Sequence, residues 1–247
     1  MAVKREIQRH SLQTRITHDI VAISIIWLSI SGLFVLIPGL GAMVPVEFTQ
    51  FLRFSHRIVG AVLLITPIVS AILAPAGVKR LWRKYITAWT KEDVEFVLKF
   101  VPYMLGPKRV HMPDQDEVKS GQRIADGMLM ISALLMIVSG MVLWLGTSIW
   151  RADPSLLVVM RFIHQLFFLL MLVFVIAHAY LGGGVFQPYR GTISLMFGNG
   201  RVKESDALYH WGFWAREELE EGKNVIEYEV PDSDDKPGEI KGSKRTA

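Results

Sequence analysis

Four stretches of this chain carry no charged residue over lengths that can cross a bilayer: Ile20 to Ile37, Ile58 to Val78, Gly127 to Trp150 and Phe162 to Tyr189. A helix rises 1.5 Å per residue, so about 20 apolar residues cover about 30 Å of hydrocarbon. Backbone N–H and C=O groups in lipid must be satisfied without water, which leaves helices as the assignment for runs this long and this few. Pro67 should kink the second without ending it. The chain is 51% hydrophobic and still 20% charged, so its polar residues are segregated between the runs. The expected fold class is all-α: an integral membrane four-helix bundle with spans at about 18–38, 56–78, 124–148 and 160–184, making a domain of residues 1–190.

Orientation follows from the short flanks. Lys4, Arg5, Arg9 and Arg15 precede the first run, and ten cations from Lys79 to Arg123 separate the second from the third. The two other connections hold Arg53, Arg151 and Arg161. Positive-inside bias therefore expects an N-in/C-in topology. The long polar N-terminal region and the poor cleavage site after Pro38 favour a retained first span over a signal peptide. In TKEDVEFVLKFVPYML, Thr90 and Asp93 form a capping-box pattern, and Val94, Val97, Leu98 and Val101 recur at helical spacing. That predicts a cytoplasmic amphipathic helix between spans 2 and 3, resting at headgroup level beside Trp82, Tyr85 and Trp89. Residues 191–247 read as a soluble cytoplasmic tail, with Trp211 and Trp214 as interfacial anchors or partner contacts and PDSDDKPGEIKGSKRTA as a disordered end. No internal repeat or phosphate-binding loop is expected. Membrane-facing cations account for the basic balance, so no nucleic-acid partner is needed.

The polar residues left in the apolar runs carry the chemistry. On this topology His18 opens span 1 inside, His56 opens span 2 outside, and His164 and His178 lie near the outer and inner ends of span 4. Fourteen residues at about 100° each return to within about 40° of one direction while rising about 21 Å, so His164 and His178 share a face at two depths. Two pairs result, His18 with His178 and His56 with His164. Alone, each imidazole could relay protons or bond a neighbouring helix. Two depth-matched pairs without thiol or carboxylate suit haem iron better than zinc, which takes a tetrahedral set. The sequence has no cysteine, so covalent haem attachment, disulfides and an iron–sulfur cluster on this chain's own thiolates are excluded.

Arginine stands three residues before three of these histidines, at Arg15, Arg53 and Arg161, with Arg57 directly after His56. Residues three apart share a helix face, so each guanidinium can reach the propionates of a haem held by its histidine. For Arg15, snorkelling to the surface is explanation enough. Arg53, Arg57 and Arg161 lie where positive charge is normally scarce. Gly60 and Gly182, four residues after His56 and His178, clear space for a macrocycle or for close helix packing.

HDIVAIS from His18, RFSHRIVGA from Arg53, GQR at Gly121 to Arg123, SGMVLW from Ser139 and the His164/His178 separation together resemble the gamma subunit of respiratory formate dehydrogenases, a di-haem cytochrome b. The likeness spans roughly residues 10 to 215. It implies two non-covalent b-type haems, with His56 and His164 as iron ligands of the outer haem and His18 and His178 of the inner one. It further implies an iron–sulfur partner subunit, a molybdenum- or tungsten-containing catalytic subunit, and a prokaryotic inner (cytoplasmic) membrane location, a higher oligomer of the complex being possible. Electrons would pass to a quinone, usually menaquinone, near the inner haem and the start of span 3, where Gly121 and Gln122 stand. The chain departs from that pattern at Lys119, where such proteins carry asparagine. Related di-haem conduits serve nickel–iron hydrogenases and other molybdoenzymes. A haem-free anchor or transporter with proton-relay histidines is the reading from another class.

Overall fold

The structure is a computed structural model describing residues 2–189 and 191–230. Four long helices dominate it: α1 (Leu12–Leu36), α3 (Val46–Leu73), α6 (Ser120–Ser148) and α7 (Pro154–Gly182). Between α1 and α3 lies the short α2 (Pro38–Ala42), and between α3 and α6 lie α4 (Pro75–Ile86) and α5 (Lys91–Leu105). The membrane helical bundle expected from the four apolar runs is what the chain forms.

The long helices start earlier than the charge-free runs because charged residues, among them Arg15, Arg53, Arg123 and Arg161, lie within their first three turns. Ser11 caps α1 by accepting from the Thr14 N–H, and Asp153 caps α7, with Pro154 at its first position. The second helix ends at Leu73 rather than at Val78: Pro75 lacks an N–H and forces Ala74 out of helical geometry, to φ −136° and ψ 62°. Residues from Pro75 onward form α4, whose cations Arg80 and Lys84 pair with Glu117 and Asp116. Pro67 is accommodated within α3. Helix α5 has both halves of the capping box between Thr90 and Asp93. It buries Phe96 and Tyr103 and leaves Val94, Leu98, Val101 and Leu105 exposed, the face an interfacial helix turns to lipid.

Inside the bundle small and polar side chains share the buried positions with Leu52, Leu63, Phe168 and Met171. The most buried residues of the long helices include Ser24, Ser31, Ser132, Ser139 and Gly146, while Ile23, Ile26, Ile65, Ile72, Val158 and Val173 face outward. Small side chains let helix backbones approach where lipid removes the hydrophobic incentive. Helix α1 packs chiefly on α3 and α6 chiefly on α7, giving two hairpins that meet more sparsely along α3–α6 and α1–α7.

These hairpins correct the expectation of no internal repeat. At one constant offset of 108 residues, Arg15, Ile16, Ser24, Ser31 and Gly32 of α1 recur as Arg123, Ile124, Ser132, Ser139 and Gly140 of α6. The same offset carries Arg53, Phe54 and His56 of α3 onto Arg161, Phe162 and His164 of α7. The apolar residues around these positions differ between the two hairpins, which hides the recurrence from a hydropathy reading.

A small sheet that the hydropathy pattern does not announce closes one end of the bundle. Strand β1 (Ala2–Gln8) lies between β2 (Arg201–Lys203) and β3 (Val225–Val230), antiparallel to both. With α8 (Ser194–Phe197), α9 (Glu204–His210) and α10 (Gly212–Glu221), it encloses Ile7, Leu195, Val202, Ala207, Trp211, Trp214 and Ala215. Trp211 and Trp214 are thus core residues of this cap, not surface anchors. Residues 191–230 and the segment before α1 form one unit on the end that also holds the α4–α6 connection, through Arg9 to the Glu117 carbonyl and Tyr103 to Tyr209. Positive-inside bias assigns this cation-rich end to the cytoplasm. The stretch expected to be disordered, residues 231–247, lies outside the described residues.

Candidate functional site

The structure brings the four intramembrane histidines together as two pairs. His18 of α1 and His178 of α7 have ring centroids 6.3 Å apart, and so do His56 of α3 and His164 of α7. An imidazole nitrogen binds a first-row metal at about 2.0–2.1 Å and the ring centroid lies about 1.1 Å behind it, so two rings opposed across one metal stand about 6.3 Å apart. Among the described residues no group of three or more His, Asp or Glu could hold an ion. Two imidazoles alone suit an iron whose other four ligands arrive with it, as in a porphyrin.

Space beside the outer pair fits such a group. Between the hairpins lies a cavity of about 600 Å³ that His56 and His164 both line. Arg53, Arg57 and Arg161 line it as well, so three of the four arginines singled out by the sequence converge there. Gly32, Gly60 and Gly140 keep it open: a Cβ at Gly140 would stand 3.1 Å from Cε1 of His164, one at Gly32 would stand 3.5 Å from Cε1 of His56, and one at Gly60 would meet nothing within 4 Å. Gly60 therefore clears space rather than packing a helix. Gly182 is equally open.

Each ring has its Nδ1 turned to an oxygen. Ser31 Oγ lies 2.8 Å from Nδ1 of His56, and Ser139 Oγ lies 3.0 Å from Nδ1 of His164. The Met136 carbonyl, which can only accept, is also 3.0 Å from Nδ1 of His164. That nitrogen must therefore carry the proton, leaving Nε2 with its lone pair. At the inner pair the oxygens belong to carboxylates: Asp19 Oδ1 is 3.5 Å from Nδ1 of His18, and Asp126 Oδ1 is 3.4 Å from Nδ1 of His178. Tyr85 OH donates to Asp126 Oδ2 at 2.6 Å, and Gln122 Nε2 donates to it at 3.0 Å. Phe197 meets the His18 ring edge-on at 5.6 Å.

The remaining sequence-chosen residues are placed differently. Arg15 is turned into the cap, with Nη1 donating to the Gly198 carbonyl. Gly121 allows α6 to lie against α5, where a Cβ would stand 3.1 Å from Phe96 Cε1. Gln122 reaches His178 only through Asp126. Lys119 is buried in the cap, with Nζ 3.3 Å from Nδ1 of His210 and over the Tyr189 ring at 4.1 Å. Burial, with Arg9 nearby, holds its ammonium well below the usual lysine range.

Sequence reasoning missed Ser31, Ser139, Asp19 and Asp126. Intramembrane serines usually bond their own helix, so only the 108-residue recurrence could have flagged these two. Asp126 stands immediately before the third charge-free run and was treated as its boundary.

A family model for prokaryotic cytochrome b561 matches residues 9–199. No protein of curated function matches the chain.

Proposed function

The chain belongs to the prokaryotic cytochrome b561 family, multi-pass inner-membrane proteins that bind b-type haem and transfer electrons, and from that premise we propose that it is a di-haem conduit delivering electrons from an iron–sulfur partner subunit to a quinone in a formate-dehydrogenase-like complex. The observation that carries this reading is the pair of imidazole couples, each with ring centroids 6.3 Å apart, with the two couples set about 21 Å apart along α7 by fourteen residues. Each haem, once bound between two imidazoles, supplies a one-electron carrier with no coordination position open to oxygen or substrate. The four histidines would hold the two groups at two depths. Arg53, Arg57 and Arg161, which line the same cavity, would pair with the propionates of the outer group. At the outer pair the oxygens on Nδ1 would fix each ring against the bound metal and raise its basicity.

The formate-dehydrogenase likeness supports the donor side, and the cation-rich end supports a cytoplasmic acceptor site, with menaquinone the quinone the likeness implies. Taking protons for quinone reduction from that end while electrons enter at the other would separate charge across the membrane. In membranes holding the whole complex, His178→Ala should remove one of two dithionite-reducible b-type signals and abolish formate-to-quinone activity. Dye reduction by the peripheral subunits should survive. Persistent quinone reduction in that variant overturns the proposal.

A further inference from the structure

We infer that Ser31 and Ser139 are the positioning residues of the outer haem site, a matched pair of hydroxyl acceptors that fix tautomer and ring orientation of His56 and His164 and hold down the potential of the iron between them. The inference rests on the di-haem reading and names residues which that reading leaves unassigned.

Both serines are buried, at 0% and 1% exposure, and both stand 25 residues before the histidine they touch. Each hydroxyl has one proton, and each has a helix carbonyl to receive it: Ser31 Oγ donates to the Trp27 carbonyl at 2.8 Å, and Ser139 Oγ donates to the Leu135 carbonyl at 2.6 Å. With that proton committed, the oxygen faces the ring as an acceptor and Nδ1–H donates to it. Nε2 is then the unprotonated nitrogen, free to ligate. The glycine that follows each serine lies beside the ring: a Cβ on Gly140 would crowd Cε1 of His164 at 3.1 Å, whereas one on Gly32 would make an ordinary 3.5 Å contact with Cε1 of His56. The serine hydroxyl is the device both rings share.

The 108-residue recurrence shows why the outer site has this device twice and the inner site does not. The offset carries Ser31–Gly32 onto Ser139–Gly140 and His56 onto His164, so the two rings of the outer pair stand at corresponding positions. It carries His18 onto Asp126, and Ser70 onto His178. The inner pair therefore joins positions that the offset does not relate, and its Nδ1 atoms lie 3.5 and 3.4 Å from carboxylate oxygens instead of beside hydroxyls.

An acceptor on Nδ1–H pushes electron density toward Nε2 and favours the ferric state, so deleting it raises the midpoint potential of that iron alone. The test uses the full chain in membranes, with the outer component identified as the one His56→Ala removes. Ser31→Ala and Ser139→Ala should each move that component's midpoint upward and leave the other in place. Ser31→Thr and Ser139→Thr, which keep the hydroxyl, should stay near the wild-type value. Should an alanine variant lose the outer haem, retention by its threonine counterpart supports the assignment. Unmoved midpoints, equal shifts of both components, or threonine variants that behave like alanine overturn it. A wild-type chain without two haems would instead sink the di-haem reading.

Discussion

Gly140 offers the sharpest mechanical test of the outer site. An alanine Cβ there would stand 3.1 Å from Cε1 and 3.5 Å from Nδ1 of His164. Carbon atoms rest at about 3.5–4.0 Å, so the ring must retreat by about 0.4 Å or more. It cannot do so freely, because Ser139 and the Met136 carbonyl hold its Nδ1 at 3.0 Å. Overpacking of this kind costs about 1–3 kcal/mol, a loss of roughly 5- to 150-fold in affinity for whatever the ring ligates. Gly32→Ala is the internal control. Its Cβ would sit 3.5 Å from His56, an ordinary contact, and alanine favours the helix by about 1 kcal/mol over glycine. Haem occupancy, read from reduced-minus-oxidised spectra of washed membranes during limiting haem supply, should fall for one component in Gly140→Ala and hold in Gly32→Ala. Equal behaviour of the two variants, or undiminished occupancy in Gly140→Ala, refutes a ring wedged between Ser139 and Gly140.

Other outcomes follow from the same contacts. Replacing Arg53, Arg57 or Arg161 by glutamine removes positive charge that favours the reduced iron, so the outer midpoint should fall by on the order of 1 kcal/mol, some tens of millivolts; an unchanged midpoint in all three would mean that the arginines face away from the group. In the cap, Trp214 is 2% exposed and bonds Glu218 through Nε1, so Trp214→Ala should destabilise that unit by about 3–5 kcal/mol, measured as earlier proteolysis after α7. Burial, and then the charges of Arg9 and Lys119 respectively, push His10 and His210 down to about 3. Their unfolded rings bind protons near pH 6.5 while the folded ones do not, so their contribution to cap stability should be level above about pH 6.5 and decline as pH falls toward 3. Tryptophan fluorescence across pH 7.5 to 4 checks this, and a flat response contradicts it.

Much of the bundle was legible because lipid imposes a coarse rule: four charge-free runs make four helices. The His164/His178 separation was legible for a related reason, since helix geometry alone puts both rings on one face. Three helix starts are misplaced when charge is read as a boundary, because Arg15, Arg53 and Arg123 lie inside the helices. The sheet was hidden for a different reason. Glu6 pairs with Lys203 on one side and Ile226 on the other, and strands this short and distant leave no local signature. Trp211 and Trp214 were assigned to an interface because a tail with no visible partner for them could not be credited with a core. That partner is β1, at the opposite end of the sequence.

Quantifying haem against protein in the purified chain, alongside dithionite-reduced spectra of the wild type, His56→Ala and His178→Ala, addresses the paired imidazoles most directly. Two haems per wild-type chain and one in each variant, with a different component missing each time, is the expected result. A wild-type ratio of one, or both variants losing the same component, would contradict two separate sites.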